Sequence, residues 1–338
     1  MELCRVVAMF LVLLVHTGNV SLGAPTHESV CAAPLAGFLR FFTQSLSVVC
    51  VDVFVMISGW FGINARRSGV FKFVYQYAFL VALLFIVVEP LRGNGIPWLT
   101  IADHIILSPD FWFFKAYLLL YFLAPVLNSF AKTASTRLQL NVLIGFFAFQ
   151  TLYDWCGHGL PYIINGYSPV SFIGLYLLMR YIRLHQPKWA MRSKSTYLLL
   201  FFASVLFVAL SVFAFFYVSD SSRLNPIVRV RMIGYTAPFT IVESACLILY
   251  FSKLRLQNKF INWLGASCFA VYLLHCHPLV FEPVFQTAVV RLYESFSLGA
   301  YYPLMFVGLV AVYLACIVID QLRIWSYKCL SRHIQLLQ

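Results

Sequence analysis

The sequence predicts an all-α integral membrane protein, a bundle of about ten transmembrane helices with both termini on the cytoplasmic side. Three observations predict it. Of 338 residues, 62% are hydrophobic and 11% charged, and mean hydropathy is +0.84, which is more apolar surface than a soluble core of this length can hide. Apolar runs near the ~20 residues needed to cross a ~30 Å hydrocarbon layer recur along the chain between short polar gaps. Finally, 17 of the 24 Lys and Arg residues fall in alternate gaps, six in the intervening gaps, and Lys115 lies inside a span. The basic side is the cytoplasmic one, so the net charge of +12 reads as membrane topology and not as an affinity for nucleic acid.

Taken in order, the spans are expected at about 3–22, 45–62, 70–89, 112–130, 138–155, 168–184, 196–217, 233–251, 264–288 and 300–322. The first carries Arg5 and His16. The second has Asp52 near its outer start and Ser58 six residues deeper, and leads to Arg66, Arg67 and Lys72 on the cytoplasmic side. Lys115 sits just inside the outer boundary of the fourth, where a snorkelling side chain accounts for it. Glu243 is a deep charge in the eighth. The ninth holds His275 and His277, about 200° apart around a helix, and Pro278 offers the break that both would need to face one cavity.

The longer outer gaps, 21–44, 90–111, 154–167 and 218–232, are rich in Gly, Pro, Asn and aromatic residues. They read equally as ordered caps that contact an acceptor and as plain connectors with interfacial aromatics. No gap has room for a soluble catalytic domain and no repeat is visible, so residues 1–338 form one polytopic domain whose chemistry sits in the bundle. The nine cysteines show no C-x-x-C spacing and no H-E-x-x-H occurs, so no metal is expected. Cys31 and Cys156 fall in outer gaps where a disulfide could form. The first span has a second reading, as a secretory signal with small residues at Gly23-Ala24, whose cleavage would remove His16.

Arg5 and His16 are eleven residues apart, which returns a helix to within ~20° of the same azimuth and separates the two by ~16 Å along the axis. They share a face, with Arg5 near the cytoplasmic boundary and His16 past mid-membrane. Each alone is explained as an anchor or a structural residue; together on one stripe they outline the wall of a polar cavity. His275, eleven residues into the ninth span, reaches a similar depth from the cytoplasmic side.

These segments carry a resemblance. ELCRVVAMFLVLLVH (2–16) resembles the first-helix signature of the membrane acyltransferase 3 family, an Arg and a His separated by ten residues. VDVFVMISGWFG (51–62) resembles its second-helix pattern, an acidic residue followed by aromatics and Ser-Gly-aromatic. FWFFKAYLLLYFLAPVLN (111–128), GYSPVSFIGLYLLMRYIR (166–183) and NWLGASCFAVYLLHCHP (262–278) are also similar to the family and occur in its order. Where many members carry R-x-x-R after the second helix, this chain has adjacent Arg66 and Arg67 and then Lys72.

The resemblance implies an O-acyltransferase of a bacterial inner membrane. It would move an acyl group, commonly acetyl, from cytosolic acyl-CoA to a hydroxyl of a glycan or lipid-linked sugar at the outer face. Coenzyme A is a polyanion and must keep its head at a basic cytoplasmic rim, for which Arg5, Arg66, Arg67 and Lys72 are suited. Burial disfavours the imidazolium, so His16 suits a general base, with a transient acyl-imidazole as the alternative. His275 sits where the family's Y-L-x-H places its histidine or serves a structural hydrogen bond. Asp52 would orient His16, hold the acceptor or stand as a helix-start carboxylate near the dipole end, and Ser58-Gly59 favours close helix packing over a nucleophile. The competing class is a secondary transporter or flippase, which favours an internal repeat and paired broken helices.

Overall fold

A computed structural model describes residues 1–157 and 160–336, and among them every regular element is helical. The first expected span is α1 (Glu2–Val15) prolonged by a π turn at His16–Val20. α2 (His27–Ala32) follows behind a Thr26 capping box, and α3 (Pro34–Val48) and α4 (Cys50–Phe61) then run almost end to end. α5 (Arg67–Leu91) is the third. α6 (Trp98–Ile106) precedes α7 (Trp112–Thr133), and α8 (Thr136–Phe149) continues as a π turn to Trp155. α9 (Pro169–His185) starts on a Ser168 cap with Pro at its first position, where the missing N–H costs nothing. α10 (Lys194–Val218), α11 (Leu224–Met232) and α12 (Pro238–Ser252) follow. The ninth expected span is divided into α13 (Lys259–Ala266), α14 (Cys268–His275), a π turn at Phe281–Gln286 and α15 (Thr287–Ser295). α16 (Leu298–Leu336) is the last.

Among the described residues, six helical stretches are long and apolar enough to cross a membrane: Glu2–Val20, Pro34–Phe61, Arg67–Leu91, Trp98–Thr133, Lys194–Val218 and Leu298–Ser331. The other four expected spans are helical but shorter, more polar or broken. α12 has 15 residues, ~22 Å at 1.5 Å per residue. α9 ends in Arg180 and Arg183. The ninth segment stops at His275 because Cys276 leaves helical geometry (φ −82°, ψ 0°) two residues before Pro278.

The chain forms two compact units. The first comprises Met1–Ala65 and Phe113–Gln257, the second Arg66–Trp112 and Asn258–Gln338. In the first, α4 packs most extensively on α9, and α10 lies against α3 and α12. Gly59 makes the α4–α9 approach possible, since a Cβ there would lie 2.5 Å from the Tyr176 carbonyl oxygen. α10 buries Phe201, Val205, Val208, Val212 and Phe216 while leaving Leu199, Phe202, Leu206 and Leu210 exposed. A helix apolar on its outward face as well as its inward one belongs in lipid. In the second unit α14 packs on α5 and α16. There Arg323 donates from Nε and Nη2 to the two oxygens of Asp320, a bidentate pair buried within α16.

Candidate functional site

α1 is regular from Arg5 through Val15, and His16 keeps right-handed helical angles (φ −74°, ψ −21°), so both residues hold the common face that their spacing requires. Beyond His16 the backbone widens into the π turn. Gly18 departs from helical geometry (φ −79°, ψ −120°) and lies so close to the Gln44 side chain that a Cβ would collide with Oε1. The same oxygen accepts from the Asn19 N–H at 3.4 Å, and Ser21 Oγ donates to the His16 carbonyl at 2.6 Å. His16 therefore stands at a helix end docked on α3. α1 itself is packed into the first unit, with Cys4, Ala8 and Leu13 fully buried.

Eleven residues below, Arg5 Nη1 pairs with Glu2 at 2.5 Å, and its guanidinium lies 6.0 Å from the Phe61 ring centroid. Arg5 also acts electrostatically on Tyr117, whose hydroxyl is 2.9 Å from Ser58 Oγ. Ser58 donates in addition to the Phe54 carbonyl at 3.1 Å. Its hydroxyl is thus engaged with a phenol and the helix backbone.

The loop after α4 is latched from two helices. Asn128 Nδ2 donates to the Ile63 carbonyl at 2.9 Å, the Ile63 N–H donates to Tyr176 Oη at 2.9 Å, and Tyr176 in turn donates to Asn128 Oδ1 at 2.8 Å. Tyr121 donates to the Asn64 carbonyl at 3.2 Å. Gly62 sits in the left-handed region (φ +78°), and a Cβ there would be 2.9 Å from Arg180 Nη1. Arg180 is 7% exposed, its Nε has no hydrogen-bond partner, and no carboxylate pairs with it among the described residues. Arg183, one turn on, stacks over Trp60 at 4.9 Å. The result is a rigid loop flanked by three guanidinium groups, one of them buried and uncompensated.

Asp52 and Glu243 form a second polar centre in this unit, each 1% exposed and close enough for their charges to interact. Ser204 donates to Glu243 at 2.7 Å. Neither oxygen of Asp52 has a hydrogen-bond partner, so no such bond joins it to His16.

In the first unit hydrogen bonds tie the segment around Trp155 to α11. Trp155 Nε1 donates to the Arg231 carbonyl, Arg231 Nη2 donates to the Gly157 carbonyl at 2.5 Å, and the Leu160 N–H donates to Asp154 Oδ1 at 3.1 Å. Burial lowers Arg229 from its ordinary range and raises the Tyr167 phenol. Cys31 and Cys156 are both free thiols.

In the second unit Arg66, Arg67 and Lys72 are exposed at the start of α5. Three cations at a helix N-terminus oppose the macrodipole, an arrangement that an anion would relieve. His275 and His277 are both buried and are distinguished by their bonds. His277 accepts the Leu279 N–H at Nδ1, so Nε2 carries the proton and donates to the Val81 carbonyl at 3.2 Å. Both nitrogens are committed, and Phe85 and Phe111 flank the ring. His275 donates from Nδ1 to the Val271 carbonyl at 2.5 Å, which leaves Nε2 as the basic nitrogen, 3.3 Å from Cys276 Sγ.

Arg5, Ser58 and the Asp52 centre thus belong to the unit that carries His16, and His275 and the α5 cations to the other. Sequence reasoning treated Arg180 and Arg183 as topology markers and did not single out Tyr117, Asn128 or Tyr176. The signal was helical phase: Tyr117 and Asn128 are eleven apart, and Tyr176, Arg180 and Arg183 follow i, i+4, i+7.

A family described as an acyltransferase domain, of the acyltransferase 3 type, matches residues 1–321. No curated protein and no solved structure matches the chain.

Proposed function

Because the chain belongs to the acyltransferase 3 family, we propose that it is a membrane O-acyltransferase of about ten spans, both termini cytoplasmic, in a bacterial inner membrane. It moves an acyl group, acetyl by the family resemblance, from cytosolic acyl-CoA to a hydroxyl of a glycan or lipid-linked sugar at the outer face.

The observation that supports this best is Arg180. A buried guanidinium without a carboxylate calls for an anionic ligand, and this one flanks a latched loop in the same unit as the Arg5–His16 helix. The phosphates of coenzyme A suit it, with Arg5 and Arg183 in the same unit. The uncharged pantetheine arm carries the thioester toward His16, ~16 Å above Arg5 on one helix face.

There His16 acts as general base. The acceptor hydroxyl oxygen attacks the thioester carbonyl carbon while the imidazole takes the hydroxyl proton. The carbon–sulfur bond then breaks, and the proton passes to the departing thiolate, giving the ester and free coenzyme A. Positioned general bases contribute about 10²- to 10⁴-fold. His16→Ala in the purified full chain should therefore lower transfer from labelled acetyl-coenzyme A by at least a hundredfold while coenzyme A still binds. A parental rate in this variant would exclude His16 as the base.

A further inference from the structure

The second unit holds an elongated cavity of about 280 Å³. One wall is a single stripe of α16, formed by Met305, Leu309, Val312, Cys316 and Ile319. Residues three or four apart share a helix face, and these five extend ~21 Å along the axis. Leu274, His275, Phe285, Val289 and Leu292 face them. The volume is nearly twice the ~150 Å³ of an apolar cavity that takes benzene, room for roughly a dozen carbon atoms. Spread over that length, it suits one hydrocarbon chain and nothing bulkier.

Two features select the occupant. Val284, Ala288 and Ala315 line the cavity yet are exposed, so its open side is apolar, on a helix whose Val307, Leu314 and Val318 are also exposed. A chain enters such an opening sideways from the bilayer. Arg291 then supplies charge at one end. It is exposed, makes no ion pair among the described residues, and shares a helix face with the lining residue Ala288, three residues before it. Tyr293 packs edge-on against Tyr301 at 5.1 Å, which sets this end of α15 beside the Met305 end of the stripe.

We propose that the cavity binds the hydrocarbon chain of a phosphate-bearing lipid, with Arg291 meeting the phosphate and the chain passing His275. This rests on the reading above in making that lipid the carrier of the acceptor sugar.

The test measures binding of radiolabelled dodecyl phosphate, against dodecanol, to the full chain in digitonin micelles, which carry neither phosphate nor alkyl chains, without any thioester. A Cβ on Gly308, which also lines the cavity, meets no atom within 4 Å, so Gly308→Phe fills the space with little strain. Saturable binding at one per chain is expected, weakened at least tenfold by Gly308→Phe. Arg291→Gln should weaken it similarly and remove the preference for the phosphate over the alcohol. Unchanged binding in Gly308→Phe overturns the site, and an unchanged phosphate preference in Arg291→Gln overturns the anionic occupant. Transfer from dodecanoyl-coenzyme A that Gly308→Phe abolishes, with acetyl transfer kept, would assign the cavity to the acyl group instead. Lipid binding without acyl transfer would leave this site standing and remove the transferase reading; acetyl transfer to a soluble sugar without lipid binding would do the reverse.

Discussion

If Arg180 meets a phosphate of the donor, its loss should be felt in binding and not in the chemical step. A hydrogen bond to a charged group is worth about 1.5–3 kcal/mol, and each 1.4 kcal/mol is about tenfold. Arg180→Gln is therefore expected to raise KM for acetyl-coenzyme A about ten- to a hundredfold with kcat nearly unchanged, the pattern of a contact equally strong in ground and transition states. Arg180→Lys keeps the charge but loses the planar fork and should restore only part of the loss. A fall in kcat at constant KM would move Arg180 out of donor binding. Arg180 also shows what the residue scale conceals. The eleven-residue spacing of Arg5 and His16 recurs between Tyr117 and Asn128, but two uncharged polar residues cost an apolar helix far less than a charge and so carry a weaker signal in the sequence. The Asn128–Ile63–Tyr176 latch was not legible in any single motif, because two of its bonds go to backbone atoms of a loop whose course depends on Gly62.

Elements were read well where periodicity or length was strong. The first, third, seventh and tenth spans coincide with long apolar helices, since each is apolar enough to cross alone. The ninth was read as one segment with Pro278 as a permitted break; the structure ends α14 three residues earlier, at His275, where helical geometry gives way at Cys276. Gly59 lets the α4 and α9 backbones approach closely, beside Ser58 in the Ser-Gly pair. Gly59→Ala places a methyl 2.5 Å from the Tyr176 carbonyl oxygen, and overpacking of this kind costs about 1–3 kcal/mol. Thermal unfolding of the detergent-solubilised protein should show that loss. Gly145→Ala in α8, where a Cβ meets nothing within 4 Å, should be neutral or slightly stabilising because alanine is the better helix former. Equal behaviour of the two variants would remove the close-packing role of Gly59.

At the scale of the whole molecule, two native thiols decide whether α8 crosses the bilayer. Cys31 and Cys156 are free and exposed. Between them lie three helical stretches long and apolar enough to cross, Pro34–Phe61, Arg67–Leu91 and Trp98–Thr133. Three crossings put the thiols on opposite sides. The fourth candidate is α8 with its π turn, continuous from Thr136 to Trp155 and so ~30 Å long at 1.5 Å per residue, enough for the hydrocarbon layer. It is also polar, with Arg137, Gln139, Asn141, Gln150 and Asp154. The charge pattern favours the crossing, because Lys132 and Arg137 lie before it and residues 155–167 after it carry no Lys or Arg. Two of its amides turn inward and away from lipid, since Gln139 donates to the Ala131 and Ala134 carbonyls and Gln150 is buried, while Asn141 is exposed one turn from Arg137. In variants that keep one thiol each, a membrane-impermeant maleimide applied to intact cells should label both Cys31 and Cys156 without permeabilisation. Labelling of Cys31 alone would make α8 a surface helix, reverse the sidedness of everything after it, and place the basic gaps around Lys188 and Lys253 outside.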